Sequence, residues 1–510
     1  MTDDVFYVTT PIYYVNDVPH LGHAYTTILA DVLARYACLR GAETYFLTGT
    51  DEHGQKVQEA AEKRGVSPRT HVDTMVRRFQ DAWRDLHVQY DDFIRTTESR
   101  HTAVVRQVLQ KLWERGDIYL AEYEGWYCVP DERFWTEKDL AAGNCPDCGR
   151  QVTRLVEPNY FFRMSSYQEW LIDYINEHPS FLQPEHRRNE VLGFLRQPLS
   201  DLCISRPRSR LSWGIPLPFD EEYVTYVWFD ALLNYVTAVG YGADGGRFDR
   251  FWPQALHLIG KDILITHAVY WPSMLEAAGL AQPRTILAHG WWIARGTKMS
   301  KSRGNVVRPL ELTELYGVDA LRYFLMRDMV LGRDANFSQE ALDRRYHAEL
   351  ANDLGNLLHR LLNMLSSYTD GRIPHPARNA DEDTLLQQQC TELPHKVQQL
   401  ATNMAVNEAV ALTMDGVTAI NRYLERTAPW TEARAGNSDR VVTVLYTASE
   451  ALRLCSVLLW PVLPERMERM WAALGWRPPE RPGDGLQWGL LAPGTQVQTG
   501  AGPLFPRVEQ

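Results

Sequence analysis

The chain has 510 residues, 45% of them hydrophobic and 23% charged, with a formal net charge of -11. At roughly 100–200 residues per domain, this is a globular composition for about three domains, and it excludes collagen-like and low-complexity classes. Seven cysteines, of which only Cys128, Cys145 and Cys148 cluster, suit a reducing compartment with one possible metal site rather than a disulfide framework.

The N-terminus, MTDDVFYVTT, has neither the basic start and apolar stretch of a secretory signal nor the Arg/Ser bias of a transit peptide. No apolar run reaches the roughly 18 residues of a membrane helix; the best stretch, around Val457 to Leu459, is interrupted by Arg453, Pro461 and Pro464. The expectation is a cytoplasmic protein without a membrane partner. Residues 5–9, VFYVT, are β-branched and aromatic and predict a buried strand. Pro19 at a first helical position, and the apolar rhythm of Ile28, Leu29, Val32 and Leu33 within the periodic stretch Ala24 to Arg40, predict a helix stopped by Gly41. A second strand, Thr44 to Leu47, runs into Gly49-Thr50-Asp51-Glu52-His53-Gly54, and helical pattern resumes at Gln55. That alternation is a βαβ unit and implies a parallel sheet. From about Tyr119 to Tyr223, short alternating runs rich in aromatics, Gly, Pro and the clustered cysteines predict an insertion. Strand–helix alternation returns at Tyr223 to Trp228, Ala255 to Gly260 and Thr285 to His289. Beyond about Gln339, leucine-bearing stretches at 347–366, 397–426 and 440–460 predict a helical bundle, with an exposed loop near Gly371 to Asp383.

Two short motifs carry chemistry. His20-Leu21-Gly22-His23 stands at the strand-to-helix junction. A helix start offers unpaired N–H groups to a phosphate, and Gly22 lets a flat base lie against the backbone. Taken alone, these four residues read at least as readily as a helix cap. Lys298-Met299-Ser300-Lys301-Ser302, between Gly296 and Gly304, is a cationic loop able to close over a polyphosphate. Alone, it reads equally as a solvated turn. Net acidity argues against a nucleic-acid partner, but basic clusters at Arg206 to Arg210 and Lys298 to Arg308 leave room for a local basic face.

Together and in this order, HLGH and KMSKS followed by a helical region resemble the class I aminoacyl-tRNA synthetases. The segments VFYVTTPIYYVNDVPHLGHAYT, LTGTDEHG, YVWFDALLNY, HLIGKDIL and HAVYWPSML look like the methionyl-tRNA synthetase family in particular. The resemblance spans the whole chain. It implies an α/β Rossmann-like parallel-sheet catalytic domain in two halves, 1–118 and 223–338. These would be split by an inserted connective domain, 119–222, and followed by an all-α anticodon-binding bundle, 339–510. It implies activation of methionine by ATP with Mg²⁺, then transfer to tRNA(Met). His20 and His23 would meet the ATP phosphates, with Gly22 beside them. Lys298 and Lys301, with Met299 and Ser300, would hold the departing pyrophosphate, and Gly260 and Asp262 the ribose. The methionine site would comprise Asp51 for the ammonium and Ile12, Trp228, Ala231, Leu232, Ile263 and Trp271 as an apolar wall. Tyr14 and His267, with Tyr235, would lie near the sulfur. Asn356, Arg360 and Trp430 would read the anticodon. Cys128-x-x-Asp131 with Cys145-x-x-Cys148 is similar to the family's zinc knuckle, with Asp131 in an unusual position; the alternative is a knuckle held by ordinary packing. The chain lacks the C-terminal dimerising domain of some relatives, so a monomer is expected. Another class I synthetase, a non-catalytic RNA-binding relative and a tRNA-independent adenylate-forming ligase stay open as alternatives.

Overall fold

The computed structural model describes residues 4–16, 18–128, 133–135, 137–146, 148–243, 246–294, 297–298, 307–500 and 502–508. Val5–Thr9 is a strand with every residue buried, as its composition predicts. It pairs in parallel with Glu43–Asp51 on one side and Ala255–Gly260 on the other. Thr285–His289 and then Leu182–Gln183 continue the sheet beyond Ala255–Gly260. Tyr13–Tyr14 and Asp92–Arg95 both add to Glu43–Asp51, making a seven-stranded sheet. The first strand thus has a neighbour from the early chain on one side and from the late chain on the other. Such a reversal of strand order opens a crevice at the carboxyl ends, the place where α/β sheets bind ligands.

The helix that follows spans Leu21–Leu39. Pro19, which the sequence places at its first position, instead precedes the cap. His20 is extended (φ −117°), and its Nδ1 accepts from the Gly22 N–H at 3.0 Å. An imidazole here does what a Ser or Asp cap usually does. At the other end, Gly41 takes φ +87°, the left-handed turn that a glycine allows.

The run 223–228 divides. Asp220–Thr225 is strand, but Val227–Leu232 is helix. The strand joins Ser205–Pro207 and Pro216–Leu217 in a small antiparallel sheet rather than the main one. Six β-branched and aromatic residues fit either period, so the pattern alone does not separate the two. Within 119–222, Ile118–Cys128 and Thr153–Phe162 form a long antiparallel ribbon. The same segment also returns Leu182–Gln183 to the edge of the parallel sheet. Arg206, part of the basic cluster read from sequence, is a core cation. It is 3% exposed, with ring centroids of Tyr127 and Tyr226 at 5.2 and 4.9 Å.

The bundle contains Asn356–Thr369, Asp381–Thr402, Val406–Thr427 and Ser438–Leu459. The stretch 397–426 is two helices, with Met404 at φ +63° in the turn between them. The loop read at 371–383 ends earlier, at Ala380, whose N–H donates to Asp383 at 2.8 Å. Three acidic residues then occupy the helix's first turn, where the N-terminal dipole favours them. Ser438–Leu459 is long and apolar enough to cross a membrane, but 94% of its most apolar window is buried inside the protein. Its Glu450 and Arg453 are both fully buried and paired at 2.7 Å. Arg453 also donates to the carbonyls of Gly485 and Gln487, so the C-terminal segment is tied down on this core helix. The bundle meets the parallel-sheet unit through buried Arg322, which donates to Asp31 of the HLGH helix at 2.5 Å and to the Pro461 carbonyl at 2.9 Å.

Candidate active site

At the carboxyl ends of the central strands lies a cavity of about 510 Å³. Its wall gathers Ile12, Tyr14, His20, Gly22, His23, Asp51, Trp228, Ala231, Leu232, Tyr235, Gly260, Asp262, Ile263 and His267. These residues come from five separate stretches of sequence, and the fold brings them to one space. Trp271 is not in the wall. It is fully buried one layer behind, its Nε1 donating to His257 Nε2 at 3.2 Å and its ring 6.0 Å from that of Tyr235. Met299, Ser300, Lys301 and Asp131 lie outside the described residues. Lys298 ends the short strand Thr297–Lys298, which pairs with Trp292–Ala294, and Trp292 itself lines the cavity. A second cavity of about 560 Å³ lies behind the sheet against the 401–408 turn, and neither motif lines it.

The two motif histidines stack, with ring centroids 3.8 Å apart. His20 Nδ1 accepts from the Gly22 N–H, and His23 Nδ1 accepts from the His20 N–H at 3.4 Å. Each neutral ring therefore carries its proton on Nε2, as a donor. Burial, reinforced by His20, pushes His23 well below the ordinary histidine range, so it works as a neutral N–H and not as a cation. A Cβ on Gly22 would lie 2.9 Å from His20 Cε1, which is why the cap requires glycine here.

On the other side of the cavity, Trp228, Ala231, Leu232 and Tyr235 face inward at i, i+3, i+4 and i+7. His267 Nδ1 donates to the Ile263 carbonyl at 3.0 Å, and its Nε2 takes the Tyr235 hydroxyl at 2.8 Å. Burial lowers His267 to about 4. Asp51 is 3% exposed at the end of its strand. Asp262 Oδ1 accepts from Trp291 Nε1 at 3.1 Å.

The sequence reading missed several wall residues. His289 Nε2 bonds Thr26 Oγ1 at 2.8 Å, and Trp291, also in the wall, carries on its ring the ammonium of Lys261, itself outside the wall, at 4.1 Å. The signal was the run Ala288-His289-Gly290-Trp291-Trp292, directly after a strand, where sheet ligands bind.

Away from the cavity, the sulfurs of Cys128, Cys145 and Cys148 lie within 4.8 Å of one another, and Cys128 and Cys148 at 3.5 Å. Thiolates around one zinc at about 2.3 Å need a spacing of roughly 3.8 Å, so these three fit the ion. Gly149 turns the second pair at φ +71° and donates its N–H to the Cys145 carbonyl at 2.8 Å. In the bundle, Arg360 and half-buried Trp430 come together, guanidinium to ring at 6.0 Å. Asn356 is exposed one turn earlier on the same helix.

Residues 6–157 and 151–362 match the family described as tRNA synthetases class I (M), and residues 373–509 match the anticodon binding domain of methionyl tRNA ligase. The chain belongs to the methionyl-tRNA synthetases. It is 46% identical over 506 residues to the methionine–tRNA ligase of Caldanaerobacter subterraneus subsp. tengcongensis, covering 99% of this chain and 79% of that one. Against the methionine–tRNA ligase of Thermotoga maritima it is 42% identical over 510 residues, 99% of this chain and 80% of the other. Mycobacterium tuberculosis methionyl-tRNA synthetase in complex with methionyl-adenylate superposes with a TM-score of 0.94 at 40% identity, covering 99% and 100% of the two chains. As a methionyl-tRNA synthetase the protein is a class I ligase that joins methionine to tRNA in an ATP-dependent reaction.

Proposed function

We propose that the 510 Å³ cavity is where methionine and ATP meet. The observation that carries this reading is that one cavity is lined by the Asp51 carboxylate, the paired Nε2–H imidazoles and Asp262 together. The methionine ammonium pairs with Asp51, and the side chain packs on Trp228, Ala231, Leu232 and Ile263. The ribose hydroxyls donate to Asp262 beside Gly260, and His20 and His23 donate to the phosphates. The methionine carboxylate oxygen attacks the α-phosphorus, the bond to the bridging oxygen breaks, and pyrophosphate leaves with the electron pair. No protein nucleophile is needed, so catalysis is positioning and charge stabilisation. Lys298 and Lys301, with Met299 and Ser300, are placed on the departing pyrophosphate by their motif. Mg²⁺ bound to the triphosphate would neutralise part of its charge. Zn²⁺ would be held by Cys128, Cys145 and Cys148, with Asp131 as the fourth candidate. Asn356, Arg360 and Trp430 read anticodon bases of tRNA(Met) by stacking and hydrogen bonding. We read the chain as a cytoplasmic monomer.

The test is ATP–pyrophosphate exchange across a panel of amino acids. Methionine should drive exchange, with homocysteine and norleucine the strongest competitors, because apolar pockets reject single-methylene changes by only about 10–200-fold. Exchange driven equally by leucine or cysteine would contradict the reading.

A further inference from the structure

We propose that Asp230 is a positioning residue for methionine, its buried carboxylate locking the helix that carries the apolar wall to the strand end that carries Asp51. The inference rests on the reading of that cavity as the methionine site. Asp230 sits on Val227–Leu232, between wall residues Trp228 and Ala231, but it does not line the cavity and has no exposed surface. Its two oxygens are divided between two imidazoles. His53 Nδ1 donates to Oδ2 at 2.6 Å and His101 Nε2 to Oδ1 at 2.7 Å. His53 stands two residues beyond Asp51. His101 is fully buried on Ser99–Glu114, a different helix. One carboxylate therefore joins three elements, and two of them carry residues that line the cavity.

The rest of the segment around Asp51 is tied elsewhere. Glu52 takes two bonds from Arg95, at 2.6 and 3.0 Å, and one from Thr97 at 2.6 Å. Those contacts fix the strand end to the neighbouring Asp92–Arg95 strand and the loop after it, not to the wall helix. His53 and Asp230 make a direct hydrogen-bonded connection to that helix. Burial alone would raise the carboxyl of Asp230, but His53 and His101 outweigh it and hold it below the usual carboxylate range. A packed apolar residue could supply the same stability at this position. What the carboxylate adds is direction: it sets where both imidazoles point, and so the separation between Asp51 and the Trp228–Leu232 face.

The test compares D230N, H53L, H53N and the D230N/H53L double variant in methionine-dependent ATP–pyrophosphate exchange, with folding checked by circular dichroism. D230N and H53L should each raise the KM for methionine by about tenfold or more, the usual effect of losing a hydrogen bond to a charged group, with the KM for ATP unchanged within about twofold. H53N keeps an N–H donor near the Nδ1 position and should restore most of the methionine affinity. The double variant should be no worse than the weaker single one, because both remove the same tie. A methionine KM within twofold of the unsubstituted enzyme in H53L and D230N, or an equal rise in both KM values, overturns the proposal. If D230N does not fold, the H53L and H53N pair decides. If H53L does not fold either, the carboxylate is only structural and the proposal is wrong. Absence of methionine-dependent exchange in the unsubstituted enzyme would overturn the functional reading itself, a result distinct from any of these.

Discussion

His267 has no N–H to offer a thioether in its present partnership: Nδ1 is spent on the Ile263 carbonyl and Nε2 receives the Tyr235 hydroxyl. Tyr14, Tyr235 and His267, which the resemblance names for the sulfur, all line the cavity, but the proton inventory of His267 was not legible in sequence, because it depends on a turn carbonyl four residues away. The same neutrality recurs around the cavity. Burial lowers His23, His257, His267 and His289, with His267 at about 4. A histidine whose folded pKa is depressed contributes stability that is complete above its unfolded value near 6.5, and that is lost as pH falls through the folded value. The melting temperature should therefore be flat between pH 7 and 8 and fall as pH drops from about 6.5 towards 4. Thermal unfolding followed over that range checks this, and a protein that grows more stable on acidification would contradict it.

Elements whose pattern was strong were legible, and their ends were decided by side-chain chemistry the pattern does not show. Val5–Thr9 and Thr285–His289 match their predicted limits. The HLGH helix starts at Leu21, two residues after the proline read as its first position, because an imidazole cap carries no common start signal. The cysteine knuckle was legible as a spacing, and the structure adds that three sulfurs converge. Protein purified without chelator should contain one zinc per chain by metal analysis, and Cys148→Ser should reduce that sharply; zinc far below one per chain would remove the assignment. Trp430 owes its position to Ala428, which at φ +40° turns the chain so that Pro429 can start a new helix. With Arg360 beside it, Trp430→Ala should lower methionyl-tRNA formation by an amount matching about 1–3 kcal/mol per lost base stack. Methionine-dependent exchange should stay nearly intact, and equal loss in both assays would argue for a packing role.

At the scale of the whole molecule, the cavity exists because the sheet reverses its strand order beside Val5–Thr9, so that the first and second halves of the chain each supply one wall. The βαβ pattern announced a parallel sheet, but which strands became neighbours was not legible, since a strand of two residues, Leu182–Gln183, carries almost no pattern. Trp271 shows the same limit: its segment reads as pocket, while its side chain lies one layer behind Tyr235. Buried Arg322 holds the bundle against the HLGH helix, so the distance from Trp430 to the cavity is part of the fold and not left to a linker. For the proposed reaction, methionine and ATP must share this one crevice. A crystal structure with methionine and a non-hydrolysable ATP analogue tests it most directly. The ammonium should lie within about 3 Å of the Asp51 carboxylate, with the ribose hydroxyls at a similar distance from Asp262. Density for either ligand outside the crevice, with Asp51 and Asp262 both out of reach, would contradict it.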